Sequence, residues 1–331
     1  MAGPRFWGFW TRGKLDLLRN YLAAFAKASN RSPQRIYLDL FAGGPEGRDR
    51  LTGEPILGSP RIALSVDQPQ FSVLRFFEQE SVAKALRSAL LAEFPGREFK
   101  VISGDCNETI VDALRDLESF DRAATFAFID PDGPDFRWST IERLAAFKRA
   151  GLPKTELFIL VPAPMFIRLL PKDGSVTARN TTRLTRMFGT DAWERIYYAR
   201  VANDLEPAEA REEYLNLVRW RLEHDLRYGW THPLEVRNTR NVPIYYLVFV
   251  TDHEIGNKIM TSVYGTASRE FKKLRREAAQ HRLVQEDEAR GILRLLSDDE
   301  LSDLTSGPEP RGERYAYEPP WVPFGMEGGG R

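Results

Sequence analysis

The 331 residues carry 47 Lys plus Arg against 47 Asp plus Glu, and 42% are hydrophobic. A formal charge of zero gives no global attraction to nucleic acid or an anionic membrane, and leaves only local basic faces to consider. The single cysteine, Cys106, excludes an internal disulfide and a cysteine-based zinc site, and it fits a reducing cytosol. No apolar stretch reaches the ~18 residues of a membrane span. The start, MAGPRFWGFW, lacks the apolar core of a signal peptide. The expectation is a cytoplasmic protein with no membrane segment.

In chain order, KLDLLRNYLAAFAKA (14–28) repeats apolar residues at spacings of three and four and predicts an amphipathic helix. QRIYLDLF (34–41) predicts a buried strand, followed by a Gly/Pro-rich loop over 43–60. VLRFFE (73–78), FKVISGD (99–105), ATFAFID (124–130) and TELFILV (155–161) predict four more strands. Helical patterns separate them, at SVAKALRSALLAEF, ETIVDALRDL and WSTIERLAAFKRA. Strands alternating with helices imply a parallel sheet covered on both faces. Residues 162–227 read as a helical insertion, with Met187-Phe188-Gly189 as one boundary. PLEVRN (233–238) and PIYYLVFVT (243–251), joined by Thr-Arg-Asn, predict an antiparallel hairpin that completes the sheet. The fold class is thus α/β, a doubly wound, Rossmann-like sheet of seven strands with a C-terminal antiparallel hairpin and added helices. Its domain spans 1–265. A charged helical extension over 266–305 follows, breaking near Gly291, and then a Pro/Gly-rich tail over 306–331 that reads as mobile. Within the tail, YEPPWVPF (317–324) is an aromatic island suited to docking on its own domain or serving as a partner peptide.

Ligands of open parallel sheets bind beyond the carboxyl ends of the strands, where the strand order reverses. Four strands here end in or just before acids: Asp39, Glu78, Asp105 and Asp130. A carboxylate accepts two hydrogen bonds from a ribose diol. Further acids suit a cofactor with positive charge. S-adenosylmethionine has both, and Gly43, Gly44 and Gly47 would let the backbone approach its methionine portion. A nicotinamide dinucleotide needs G-x-G-x-x-G opening a helix; GGPEGRDRLTG has the wrong spacing, and no Walker lysine loop is present. FIDPDGPDF (128–136) follows the fourth strand. Asp, Pro and Gly make turns for their own reasons. At this strand end, however, an Asp-Pro step can aim a carboxylate and a carbonyl at an exocyclic amine. Methyl transfer is an in-line displacement that depends on such positioning.

These residues carry a resemblance. TRGKLDLLRNYLAAF, YLDLFAGG, GEPILGSPRIAL, FFE, GDCNE, FIDPDG, MFGTDAW and RNTRNVPIYYLVFVTDHEIGNKIM occur in that order over roughly residues 10–260. The chain resembles the three-Cys-motif partner (TcmP) proteins, whose fold is that of class I methyltransferases. The resemblance implies S-adenosylmethionine as cofactor and a three-Cys-motif protein as partner; the cysteines of the name belong to that neighbour. On this reading Asp39, Phe41, Ala42, Gly43 and Gly44 hold the methionine portion, Glu78 the ribose, and Asp105 and Cys106 border the adenine. Asp130, Pro131, Asp132 and Gly133 orient the acceptor, an amine nitrogen of a nucleic-acid base or another acceptor. The alternative is a catalytically silent, cofactor-binding partner subunit.

Two departures bear on these roles. The family pattern has an aromatic where Asp132 stands, in the style of DPFG, and such a ring stacks on a base. Asp132 cannot, so Phe136 or Trp138 is expected to stack instead. Asp39 and Glu78 lie 78 − 39 = 39 residues apart, wider than the roughly 20 of a dinucleotide-binding unit. The excess is the 45–60 loop, read as a lid. The four histidines show no i, i+4 pair with an acid, so no metal site is expected. Ser103 lacks a nucleophile elbow. Arg237, Arg240 and Asn241 at the hairpin, and KKLRRE (272–277), read as solvated charge.

Overall fold

The computed structural model describes residues 5–44, 47–289 and 315–326. Its elements in chain order begin with β1 (Arg5–Trp7), α1 (Phe9–Ala28), β2 (Arg35–Asp39), β3 (Gly47–Asp49) and α2 (Ser59–Leu64). They continue with β4 (Val73–Glu78), α3 (Glu80–Glu93), β5 (Lys100–Ser103), α4 (Cys106–Arg115), β6 (Ala124–Ile129), α5 (Trp138–Ala146) and β7 (Glu156–Val161). Four helices follow: α6 (Ala163–Leu169), α7 (Ala178–Phe188), α8 (Trp193–Ala202) and α9 (Pro207–His224). The hairpin β8 (Trp230–Arg237) and β9 (Pro243–Thr251) leads into α10 (Glu254–Ala289).

The main sheet has seven strands in the order β5-β4-β2-β6-β7-β9-β8. The first five are parallel, and β9 runs antiparallel between β7 and β8. The period of two in each strand sorts side chains onto two faces. Ile36, Leu38, Ala127, Ile129, Leu157, Ile159, Val248 and Val250 belong to one core, with α4, α5 and the helices α6–α9. Tyr37, Phe126, Phe128, Phe158, Leu247 and Phe249 belong to the other, with α1, α2, α3 and α10. Both faces are apolar, which is why these strands read as unbroken hydrophobic runs.

The helical reading of 162–227 holds, and Gly189 ends α7 in the left-handed conformation (φ +64°). A side chain there would collide with Trp138. Helix α10 starts well before its charged stretch. Residues 255–266 are rich in Gly, Thr, Ser and β-branched residues, poor helix formers alone. Met260, Tyr264, Ala267 and Phe271, at helical spacing, bury that segment in the core shared with α1. Gly13 of α1 admits the ring of Phe271. The helix passes residues 265 and 266 in one piece, and the break expected near Gly291 lies outside the described residues.

Two expectations are corrected. The lid expected over 45–60 is tied down from residue 47 onward: β3 pairs with β1, and Asp49 accepts from the amides of Leu51 (2.7 Å) and Thr52 (3.2 Å). Pro45 and Glu46 lie outside the described residues. Residues 315–326 belong to the tail expected to be mobile, yet lie against α9, as the reading of the 317–324 island as docking on its own domain has it. Asn216 takes both backbone groups of Trp321 (3.0 and 2.8 Å), Glu213 accepts from the Trp321 indole (3.0 Å), and Glu223 accepts from Tyr317 (2.7 Å). Polar side chains one helical turn apart thus satisfy an extended strip whose prolines bar it from regular structure. Among the described residues, no helix is long and apolar enough to cross a membrane.

Candidate functional site

The strand order reverses at β2: β4 and β5 lie to one side, β6 and β7 to the other. The crevice beyond the carboxyl ends of β2 and β6 is therefore the expected ligand position. All four acids reach this edge, but in different states.

At the ends of β2, β4 and β5 the main chain laces the strands together. The Ala42 amide donates to the Phe77 carbonyl (3.0 Å), and the Gly104 amide to the Glu78 carbonyl (3.0 Å). Gly43 has φ +77°, a conformation that disfavours any side chain, and among the described residues nothing lies within 4 Å of where a Cβ would stand. Its amide donates to one Glu78 carboxylate oxygen at 2.6 Å, and the Gln79 amide donates to the other at 2.8 Å. The half-buried carboxylate is thereby fixed over the glycine turn with lone pairs to spare.

Asp39 lies beneath that turn. It shares the α1 face with Tyr37, whose hydroxyl donates to it at 3.2 Å, and it is 0% exposed. Burial pushes its carboxyl up to about 7; the Ser59 hydrogen bond opposes this, the charge of Asp130 adds to it, and Tyr37 opposes it. One Asp39 oxygen, Oδ1, is buried with no hydrogen-bond partner. Asp39 therefore shapes the turn from below, and its carboxylate does not reach solvent. Cys106 is also closed off: burial, then the charge of Asp105, pushes its thiol up to about 12. It is a packing residue with an inert thiol.

Asp130 follows Ile129 on β6, so the period of two turns it to the α1 face. There it meets Lys14, whose ammonium forms a salt bridge with it and sits 5.9 Å from the ring centroid of Tyr245. Lys14 was not expected in the site. Its signal was present: it falls on the stripe of Leu17, Leu18, Tyr21 and Phe25, where a lysine needs a buried partner.

At the end of β5, on the same side of β2 as Glu78, Asp105 caps α4 by accepting from the Asn107 amide (2.9 Å) and pairs with Arg137 (3.0 Å) of the loop after β6. Asn107 is the hub. Its side chain donates to the Asp135 carbonyl (2.8 Å) and accepts from the Arg137 amide (2.8 Å) and the Thr140 hydroxyl (2.9 Å). This bonding holds the loop after β6. Within that loop Asp132 is exposed and Gly133 is buried. The two rings expected to stack on a base are not available: Phe136 is 1% exposed and Trp138 2%, both in the core. The Arg221 guanidinium lies 4.3 Å from the Trp138 ring centroid. The sequence does not separate a ring near a site from a ring beneath it, because α5 begins at Trp138 and buries its apolar stripe at once.

Two cavities of about 390 Å³ frame the sheet. One lies between the loops after β5 and β6 and helix α7. The other opens at the opposite, amino edge, beside Tyr21, Lys148 and Glu156. Glu156 is committed there to Tyr21 (2.6 Å) and Thr251 (2.8 Å), and burial pushes its carboxyl up to about 7. The carboxyl edge is the better candidate, since it combines the reversal of strand order, the open glycine turn and the convergent acids. No family model matches the sequence, and no curated protein matches it.

Proposed function

We propose that the protein binds S-adenosylmethionine at the carboxyl edge of its sheet and transfers the methyl group to an amine nitrogen, as a class I methyltransferase of the three-Cys-motif partner kind. Counted along the main sheet in chain order, the strands run 3-2-1-4-5-7-6 with the seventh antiparallel, the plan expected of that class. The observation that carries the reading is the Gly43–Glu78 contact, a fixed carboxylate beside a glycine turn with open space above it. Glu78 would accept the ribose hydroxyls, and the Phe41–Gly44 turn would take the methionine portion. The cofactor supplies an electrophilic methyl on a sulfonium. Asp130 and the Pro131 carbonyl accept hydrogen bonds from the acceptor amine and hold its lone pair in line, so that the chain contributes position. Calorimetry with S-adenosylmethionine tests the reading: heat and a thermal shift are expected, and neither at millimolar ligand would overturn it.

A second reading has a specific support. Asp132 is exposed, no aromatic stands at its position, and Phe136 and Trp138 are buried. A partner subunit that binds the cofactor without turnover fits this arrangement. Binding without any S-adenosylhomocysteine, over nucleic-acid and protein acceptors, would favour it; turnover on any acceptor would rule it out.

A further inference from the structure

The cavity between the loops after β5 and β6 and helix α7 is lined by Arg137, Arg179, Arg183 and Arg186, against Asp105 and Asp135. Arg183 pairs with Asp135 at 2.5 Å, and Arg137 with Asp105 at 3.0 Å and with Glu108 at 2.5 Å. Arg179 and Arg186 are exposed and enter no ion pair among the described residues. All three arginines of α7 share one face, at i, i+4 and i+7, and the helix contains no acid. Like charges at that spacing work weakly against a helix, and Asp135 pairs with the middle arginine, so an anion at the outer two would be favoured. That face also abuts the proposed transfer loop: a Cβ at Gly133 would stand 3.1 Å from the Arg183 guanidinium.

We infer that this cleft binds the backbone phosphates of a single-stranded polynucleotide and so presents a base to the loop Asp130–Gly133. This names the acceptor class for the reading above and rests on it. Guanidinium forks match phosphate oxygens two at a time. The arginine positions are ~6 Å and ~4.5 Å apart along the helix axis, which suits a row of phosphates better than the single one of a modified side chain. A single strand is required because a base amine buried in a duplex stack does not reach the loop. Exposed Asp132 then accepts a hydrogen bond from a base or sugar donor, a role that stacking does not require.

Fluorescence anisotropy with short, labelled, mixed-sequence RNA and DNA single strands, titrated at several salt concentrations, tests this on the full chain. Wild type should bind with an affinity that falls steeply with salt. R179Q/R186Q should bind several-fold more weakly, with a log–log salt slope shallower by about 1.4, two single-strand phosphate contacts at ~0.7 each. Its melting temperature should not fall, since both side chains are exposed and two like charges are removed from α7, and its S-adenosylmethionine affinity by calorimetry should be kept. Absence of binding at low salt, or an unchanged slope in the variant, would overturn the inference, as would displacement by a singly phosphorylated peptide at equal strength. Oligonucleotide binding with the expected slope change, but no affinity for the methyl donor, would sustain the phosphate cleft and sink the methyltransferase reading instead.

Discussion

Replacing Lys14 with methionine removes the cation from Asp130 while keeping most of the apolar stem that packs on α1's buried stripe. The pair's side chains are 9% and 19% exposed. Breaking a buried pair from one side leaves an uncompensated charge and is worth about 3–5 kcal/mol. Asp130 retains some access to water, which places the expected loss near the lower bound, about 3 kcal/mol. Urea denaturation of K14M, D130N and the double variant gives the cycle. The double variant should recover most of what K14M loses, since neither charge is then left alone. A loss below about 1 kcal/mol in K14M would refute the reasoning, because a pair that water screens behaves that way. A double variant as unstable as K14M would refute it too, by showing that the loss comes from packing.

Three further outcomes are expected. E78A should weaken S-adenosylmethionine binding by about 1.5–3 kcal/mol, the scale of hydrogen bonds to a charged group, whereas D130N should spare binding and abolish transfer; equal losses by calorimetry would reverse the assigned roles. Burial holds Asp39 and Glu156 at about 7, above ordinary carboxyls at ~4, so the folded state binds the extra protons and stability should fall as pH rises through that window. His232, pushed down to about 4 by burial, acts in the opposite sense between there and ~6.5 without cancelling the two carboxyls, so urea midpoints should decline from about pH 5 to 7 and level off above, and D39N/E156Q should flatten that decline. W321A removes a donor from buried Glu213 and should destabilise by about 1–3 kcal/mol while exposing residues 315–326 to protease; unchanged cleavage would show that the segment is held elsewhere.

The strands were legible because both faces of the sheet are covered, so each reads as an apolar run, and because the runs stop at acids that belong to the edge. Asp39, Glu78, Asp105 and Asp130 each stand at or just after the carboxyl end of a parallel strand. Their chemical states were not legible. Whether an acid at a strand end meets water, an amide or a cation depends on which helix crosses above it. Helix α1 lies 116 positions from Asp130 in sequence yet supplies its partner Lys14. The same holds for Phe136 and Trp138. An aromatic pair near a turn gives no sign of the face it will take until α7 and α9 have packed against it. The start of α10 was hidden for a different reason: its Thr, Ser and Gly residues disfavour helix locally, and burial against α1 outweighs them.

How the cations are distributed over these acids narrows the division of labour. Asp39 is sealed, Asp130 is matched by Lys14, Asp105 by Arg137 and Asp135 by Arg183. Glu78 and Asp132 enter no ion pair among the described residues; Glu78 ends β4, and Asp132 stands in the loop after β6. A carboxylate held by main-chain amides keeps its charge for a ligand, whereas one held by a guanidinium has already spent much of its attraction. Glu78 is thus the acid suited to hydroxyls and to the field of a cationic cofactor. Asp132 is the acid suited to a donor on the acceptor.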